Sequence, residues 1–154
     1  MIQLKQLSTL ATILLLATLP ITQSCKDPGQ GTPTAEEQQI EKLTKTWTVE
    51  SVTFGGSEDR TTDWSGFTLT VTGNQGYSTT NAFSPGPWPA SGTWSFATTG
   101  GTADINKVLR DDGLEIAITV SATSLTMTFT YDDTTHQGGR TEAVNGEYVF
   151  KMKG

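Results

Sequence analysis

Four stretches of this chain place large apolar residues at every second position, with mostly polar residues between them. They are GFTLTVTG (66–73), LEIAITV (114–120), SLTMTFTYD (124–132) and GEYVFKMK (146–153). Successive side chains of a β-strand point to opposite faces, so this pattern predicts strands with one buried and one solvent-exposed face. The many Thr residues on the polar faces favour strands as well, because their branched side chains suit a pleated surface. The sequence therefore predicts an all-β protein.

Turn signals divide the region after residue 45 into eight predicted strands. TGNQG, TTGGT and DDG supply Gly, Asn and Asp, which tolerate the positive φ angles of tight turns. Most links are short, so neighbouring strands should pair antiparallel, in chain order. The predicted strands lie at about residues 46–54, 66–72, 76–83, 91–97, 103–109, 113–121, 124–132 and 146–153.

Eight strands in up-and-down order can close into a barrel, which removes both edges of the sheet. A barrel of that size has an interior filled by side chains or wide enough for one small ligand. The predominance of short sequential links favours an eight-stranded antiparallel up-and-down barrel. Strand count alone leaves a two-sheet β-sandwich as the alternative.

A short helix is predicted just before the first strand, from about Ala35 to Thr44. Thr34 is followed three residues later by Glu37, which is the capping-box pattern. Ile40 and Leu43 share one face at helical spacing, giving a narrow apolar stripe. We expect this helix to lie on the barrel and close one of its ends.

Residues 1–24 have the pattern of a secretory signal. Lys5 is their only charge, and the apolar stretch over 7–21 is shorter than the roughly 20 residues that a membrane-spanning helix needs. Cys25, the only cysteine of the chain, follows directly. A lone cysteine cannot form an internal disulfide.

The end of this segment resembles the lipobox of bacterial lipoproteins. Ser24 and Cys25 match that motif, whereas Thr22 and Gln23 differ from it. The resemblance implies cleavage before Cys25, a diacylglyceryl group on its sulfur and acylation of the new amino terminus, with chains such as palmitate. Two or three acyl chains anchor a protein stably in a membrane. An ordinary secretory signal with an incidental thiol is the alternative.

These features predict three parts: a lipoprotein signal peptide over 1–24, a flexible tether over 25–34 and a barrel domain over 35–154. The tether, KDPGQGTPT after the cysteine, has the Gly, Pro and polar composition of a spacer. We expect the protein to be lipid-anchored in the outer membrane of a bacterial envelope. The sequence does not choose between the periplasmic face of this membrane and the cell surface, because Lys26 and the single acid Asp27 only partly resemble a surface-export signal.

Two tryptophan motifs resemble those of Bacteroidetes-type lipocalin-like lipoproteins. Trp47 stands where the helix meets the first strand, as in the lipocalin opening, although Lys45 replaces its glycine. The resemblance covers about residues 36–153 and implies a lipocalin-like barrel, but it transfers no single activity. The matching positions are Leu43, Trp47, Gly92, Trp94, Phe96, Tyr148 and Phe150.

The two remaining tryptophans, Trp64 and Trp88, are in predicted loops and are the candidate ligand-binding residues. A loop indole near a barrel mouth can cap a pocket or stack on a sugar ring, or it can simply pack over the barrel end. The leading hypothesis is a non-catalytic, lipid-anchored barrel that binds a small apolar or amphipathic ligand, or, without a pocket, acts as an envelope interaction module. The alternative is a glycan- or protein-binding surface module that uses these two tryptophans.

Charge and the scarcity of reactive groups argue against other functions. The net charge of −6 disfavours nucleic acid as a partner. His136 is the only histidine and has no motif of a catalytic nucleophile beside it, so we expect no catalytic site. One histidine and a lipidated cysteine also exclude an ordinary zinc site, and no EF-hand spacing is present. We expect no cofactor, no metal and a monomeric protein.

Overall fold

The computed structural model describes residues 31–84, 86–132 and 144–154. The predicted signal peptide, Cys25 and His136 lie outside them. Within the described part, one helix, α1 (Ala35–Leu43), precedes nine strands and a short 3-10 helix at Thr61–Trp64. The strands are β1 (Thr46–Phe54), β2 (Glu58–Asp59), β3 (Thr68–Val71), β4 (Gly76–Thr80), β5 (Ser91–Thr99), β6 (Thr102–Arg110), β7 (Glu115–Val120), β8 (Ser124–Tyr131) and β9 (Gly146–Lys153).

Eight of these strands form a closed antiparallel barrel. β1 and β3 to β9 each pair with their sequential neighbour, and β1 pairs again with β9, which closes the sheet. The two-residue β2 pairs with the end of β1 outside this circuit. The predicted barrel is therefore confirmed, and the sandwich alternative is wrong, because a sandwich does not join its first strand to its last.

The seam between β1 and β9 runs from Thr48 opposite Lys153 to Phe54 opposite Tyr148. Its register shifts between Val49 and Ser51, where β1 carries an irregularity of the bulge type. Such a shift bends a strand and increases its local twist. Here the register shift lies in β1, the strand that pairs with both β3 and β9.

Strand boundaries differ from the prediction mainly at turns. β4 ends at Thr80 because Asn81 adopts a positive φ of 53°. β5 and β6 are longer than predicted, since Gly100 and Gly101, at φ 60° and 83°, make a two-residue hairpin turn between them. Two positive φ angles in succession are what a type I′ turn requires.

The helix end of the barrel is the end where α1 precedes β1. The capping box forms as predicted: the Glu37 amide donates to Thr34 Oγ1 over 3.1 Å, and the Thr34 amide donates to Glu37 Oε2 over 2.7 Å. Gln39 Nε2 donates to the carbonyl of Ile105 on β6, and Leu43 is buried. α1 therefore packs on the barrel at this end, as expected.

The opposite, loop end receives the links 55–67, 81–90 and 111–114. An aromatic cluster centred on Phe150 of β9 fills the interior here. Its ring stacks on Phe129 at 5.8 Å between centroids and meets the edge of Trp64 at 4.8 Å. Phe67, Trp88 and Tyr148 also pack on it. Residues from the loops and from the strands thus share one core.

We predict that Phe150→Ala lowers the free energy of unfolding by about 3–5 kcal/mol, because a fully buried ring at the centre of this cluster leaves a cavity. The control is Leu109→Ala on β6, whose side chain is 37% exposed and should cost less than about 1 kcal/mol. Equilibrium urea unfolding of the full chain measures both. Equal losses for the two variants would contradict the central place of Phe150.

Candidate functional site

The barrel interior contains a cavity of about 40 Å³. One water molecule needs about 10–15 Å³, so there is room for about three. Most of the interior is therefore filled by side chains, and the space that remains suits a few atoms. Its walls come from α1, from β3 to β8 and from the β4–β5 loop; they include Leu43, Leu69, Val71, Val108, Ile116, Ile118, Leu125 and Met127.

Four cavity-lining residues carry polar atoms: Arg110, Tyr77, Trp88 and Trp94. Arg110 is the last residue of β6 and is only 4% exposed. It points inward because the alternation of β6 places it on the same face as buried Val108. A buried guanidinium requires hydrogen-bonded partners, since leaving it unpaired costs several kcal/mol.

Two neighbours satisfy part of the Arg110 guanidinium. Asp112 accepts from Nε over 3.1 Å and from Nη2, while the carbonyl of Pro87 accepts from Nη1 over 2.6 Å. The β6–β7 turn makes the first pairing possible, because Gly113 at φ 89° folds the chain back beside β6. Burial alone would raise the pKa of the Asp112 carboxyl, but the hydrogen bond and charge of Arg110 hold that pKa below its ordinary value.

The guanidinium also lies against two aromatic rings. Arg110 Cζ is 5.1 Å from the ring centroid of Trp88 and 5.9 Å from that of Tyr77. The negative faces of such rings attract a cation. Trp94 of β5 is the direct cross-strand partner of Arg110. Tyr77 and Trp88 therefore both contact the same cation, and Trp94 is its neighbour across the sheet.

Each of these three aromatic residues has a buried donor without a hydrogen-bond partner among the residues that the structure describes. They are the Tyr77 hydroxyl and the indole N–H groups of Trp88 and Trp94, on side chains no more than 9% exposed. An unpaired buried donor costs about 1–3 kcal/mol. Elsewhere in the interior the same groups are paired: Trp47 Nε1 donates to Leu43 and the Tyr148 hydroxyl to Val144, both over 2.9 Å.

The Tyr77 hydroxyl reaches a crowded position on β5. A Cβ at Gly92, its cross-strand partner, would stand 2.6 Å from the hydroxyl oxygen and 2.8 Å from the carboxylate of Asp111. Only glycine leaves room for both groups. Burial raises the pKa of Tyr77, Arg110 lowers it in part, and Asp111 and Asp112 add to the rise. The hydroxyl therefore stays protonated and available as a donor at neutral pH.

Trp64 and Trp88, the candidate ligand-binding residues predicted from the sequence, lie in different parts of the barrel interior. Trp88 lies inside the barrel mouth and lines the cavity. Trp64 is 1% exposed, sits on the 3-10 helix and packs on Phe67 and Phe150, away from the cavity lining. Neither indole is exposed, whereas a surface module that uses them requires exposed rings. The ligand-binding role of both residues stays a prediction.

Arg110 and Tyr77 are not among the site residues predicted from the sequence. One signal for Arg110 was present: in TADINKVLR the arginine follows Val108 at a spacing of two, which places a charge on the inward face. The predicted strand ends one residue earlier, at 109, so position 110 is predicted to lie in a turn. Tyr77 offered no comparable signal, because a tyrosine on an inward face is ordinary core.

Two features are absent from the described ranges 31–84, 86–132 and 144–154. No three His, Cys, Asp or Glu side chains there are grouped so that they could hold a metal ion. No helix in those ranges combines the length and the apolar character needed to cross a bilayer.

The hydroxyl of buried Tyr148 is hydrogen-bonded and that of buried Tyr77 is not, and this difference predicts how the loss of each hydroxyl affects stability. Tyr77→Phe removes an unpaired hydroxyl, so the free energy of unfolding should stay the same or rise by up to about 1 kcal/mol. Tyr148→Phe leaves the Val144 carbonyl without its donor and should cost about 1–2 kcal/mol. Urea unfolding of both variants compares them. A loss in Tyr77→Phe as large as in Tyr148→Phe would mean that its hydroxyl is paired.

Comparisons with protein-family models, with curated proteins and with solved structures return no match for this chain. The closed eight-stranded barrel with its short helix is consistent with a lipocalin-like fold. Such a barrel is compatible with a ligand-binding module.

Proposed function

We propose that this protein is a lipid-anchored envelope lipoprotein whose barrel binds a small apolar or amphipathic ligand. The observation that supports it is the cavity, a small space inside the barrel whose exposed wall is apolar and whose lining comes from α1, from β3 to β8 and from the β4–β5 loop. Small-molecule sites are lined predominantly by hydrophobic and aromatic side chains.

The proposed action is binding and not catalysis. The indoles and the guanidinium among the lining residues only donate, and the raised pKa of Tyr77 keeps its hydroxyl protonated at neutral pH, so that it is not a ready base. Arg110 is held by Asp112 and by the Pro87 carbonyl, which fixes its place in the barrel. We therefore assign the cavity a holding role.

The proposed anchor is Cys25, carrying acyl chains such as palmitate at the outer membrane. The nine residues from Lys26 to Thr34 would separate it from α1. A flexible chain of that length spans roughly 17 Å on average, so the barrel would stay near the headgroups.

The anchor predicts a specific labelling result. In a bacterial host fed with an alkyne analogue of palmitate, the natural chain should acquire the label and fractionate with membranes. Cys25→Ser removes the acceptor sulfur and should abolish both. Ser24→Ala is the matched control, because a small residue before the cysteine is kept, and it should label normally. Equal labelling of the Cys25→Ser chain would contradict the anchor.

The cavity predicts ligand binding that depends on its volume. The lipidated chain in lipid nanodiscs should bind ethanol or dimethyl sulfide, two probes that each have three non-hydrogen atoms, with saturable changes in tryptophan fluorescence. Val108→Phe places a larger side chain on the cavity wall and should weaken binding at least tenfold. Leu109→Phe, one residue along and on the outer face, is the control and should bind as before. Absence of binding by both probes would overturn the proposal.

A further inference from the structure

The cavity of the barrel exposes an apolar wall, although four of its lining residues carry polar atoms. The guanidinium of Arg110 is bound to Asp112 and to the Pro87 carbonyl. The Tyr77 hydroxyl lies beside Gly92, where a Cβ would stand 2.6 Å from its oxygen. These side chains therefore present ring and methylene surface to the cavity, while their polar atoms lie elsewhere.

Water is a poor occupant of such a space. A buried water molecule normally makes about three hydrogen bonds, and an apolar wall offers none. The cavity, of about 40 Å³, has room for about three water-sized groups, which could bond only to one another. Apolar cavities of proteins stay dry and take up apolar guests for this reason. An apolar molecule gives up no hydrogen bond when it enters.

Resting on the proposed function, which covers apolar and amphipathic ligands, we propose that the ligand is an uncharged apolar molecule of about three non-hydrogen atoms, such as a short alkane or a small thioether. Its size follows from the volume of the cavity. It carries no hydroxyl, because a hydroxyl would lose its hydrogen bonds to water and find no partner on the wall. A thioether sulfur also makes favourable contacts with aromatic rings, which Tyr77, Trp88 and Trp94 supply.

The indole of Trp88 limits the length of the ligand. Its ring packs on the aromatic cluster, and Arg110 Cζ lies 5.1 Å from its centroid. The backbone on each side of it is held by the barrel: the Pro87 carbonyl accepts from Arg110, and the Pro89 carbonyl accepts from Thr79 Oγ1 over 2.8 Å. A longer hydrocarbon would have to displace this ring, so we expect the site to exclude n-hexane.

The small size of the ligand also limits its affinity. The best very small ligands reach a ceiling of binding free energy per non-hydrogen atom, and for three such atoms this ceiling corresponds to a dissociation constant of about 0.5 mM. Occupancy therefore requires free ligand near the millimolar range, and a titration has to cover that range.

Propane, dimethyl sulfide and ethanol, each with three non-hydrogen atoms, test the preference for an apolar ligand. The ¹³C-methyl-labelled, lipidated chain in nanodiscs is equilibrated with each probe through the gas phase. Headspace chromatography gives the free aqueous concentration, so that uptake by the lipid is not counted as binding. Propane and dimethyl sulfide should shift the methyl signals of Ile116 and Ile118 and saturate at a concentration at least about tenfold lower than ethanol.

Two internal controls accompany the titration. The methyl signals of Val52, which is fully buried at the β1–β9 seam and outside the cavity lining, should stay in place with all three probes. n-Hexane should leave the signals of Ile116 and Ile118 unmoved, and a saturable shift by n-hexane would overturn the size limit.

A pair of variants isolates the polarity of the wall. Val108→Thr keeps nearly the same side-chain size but adds a hydroxyl to the cavity lining, which should admit water and weaken propane binding at least about tenfold without weakening ethanol. Val149→Thr is the matched control. Val149 alternates with buried Tyr148 and Phe150 along β9 and therefore faces outward, so this variant should bind propane as before.

The outcomes separate the two proposals. If ethanol saturates the Ile116 and Ile118 signals at the same concentration as propane, ligand binding stands and the preference for an apolar ligand is overturned. If none of the three probes gives a saturable shift, the cavity is a packing void and both proposals are overturned. If those methyl groups contact ordered water that propane does not displace, the cavity is wet and the apolar preference is again overturned. The three probes decide this in the natural chain, even where Val108→Thr does not fold.

Discussion

The pairing of β1 with β9 is the interaction on which the rest of the structure depends. It joins the first and last strands of the barrel, so that both edges of the sheet are hydrogen-bonded and the inward faces of eight strands enclose one interior. Phe150 of β9 and Val52 of β1 face each other across this seam and are fully buried. Without the closure, the alternating faces would surround no common core and no cavity.

Closure also sets what the interior can contain. An eight-stranded barrel is just wide enough for its own side chains, so a few bulky rings decide how much space is left. Here the aromatic cluster around Phe150 fills the loop end, and smaller aliphatic residues of β3, β6, β7 and β8 leave the cavity. The polar cluster at Arg110 lies where the two regions meet, since Trp88 belongs to both.

Local signals in the sequence were enough for most of the architecture. The capping box at Thr34 and Glu37, the Gly100–Gly101 hairpin turn and the alternation in β7, β8 and β9 depend on residues within a few positions of one another, and all appear as expected. The sequence predicts a loop over 55–65, but that segment contains β2 and a 3-10 helix in which Trp64 is buried. A loop indole is buried or exposed according to what it folds over, which its neighbours in the chain do not specify.

By itself, the sequence determined the strand order, the inward-facing residues and the start of the helix. These follow from periodicity, capping and short motifs, which are properties of neighbouring residues. Only the tertiary structure decided that the barrel closes on β1 and β9, that its interior is nearly full, and that Arg110, Tyr77, Trp88 and Trp94 meet at one cavity. Those residues are far apart in the chain, and whether their donors find partners depends on three-dimensional distances that no local pattern encodes.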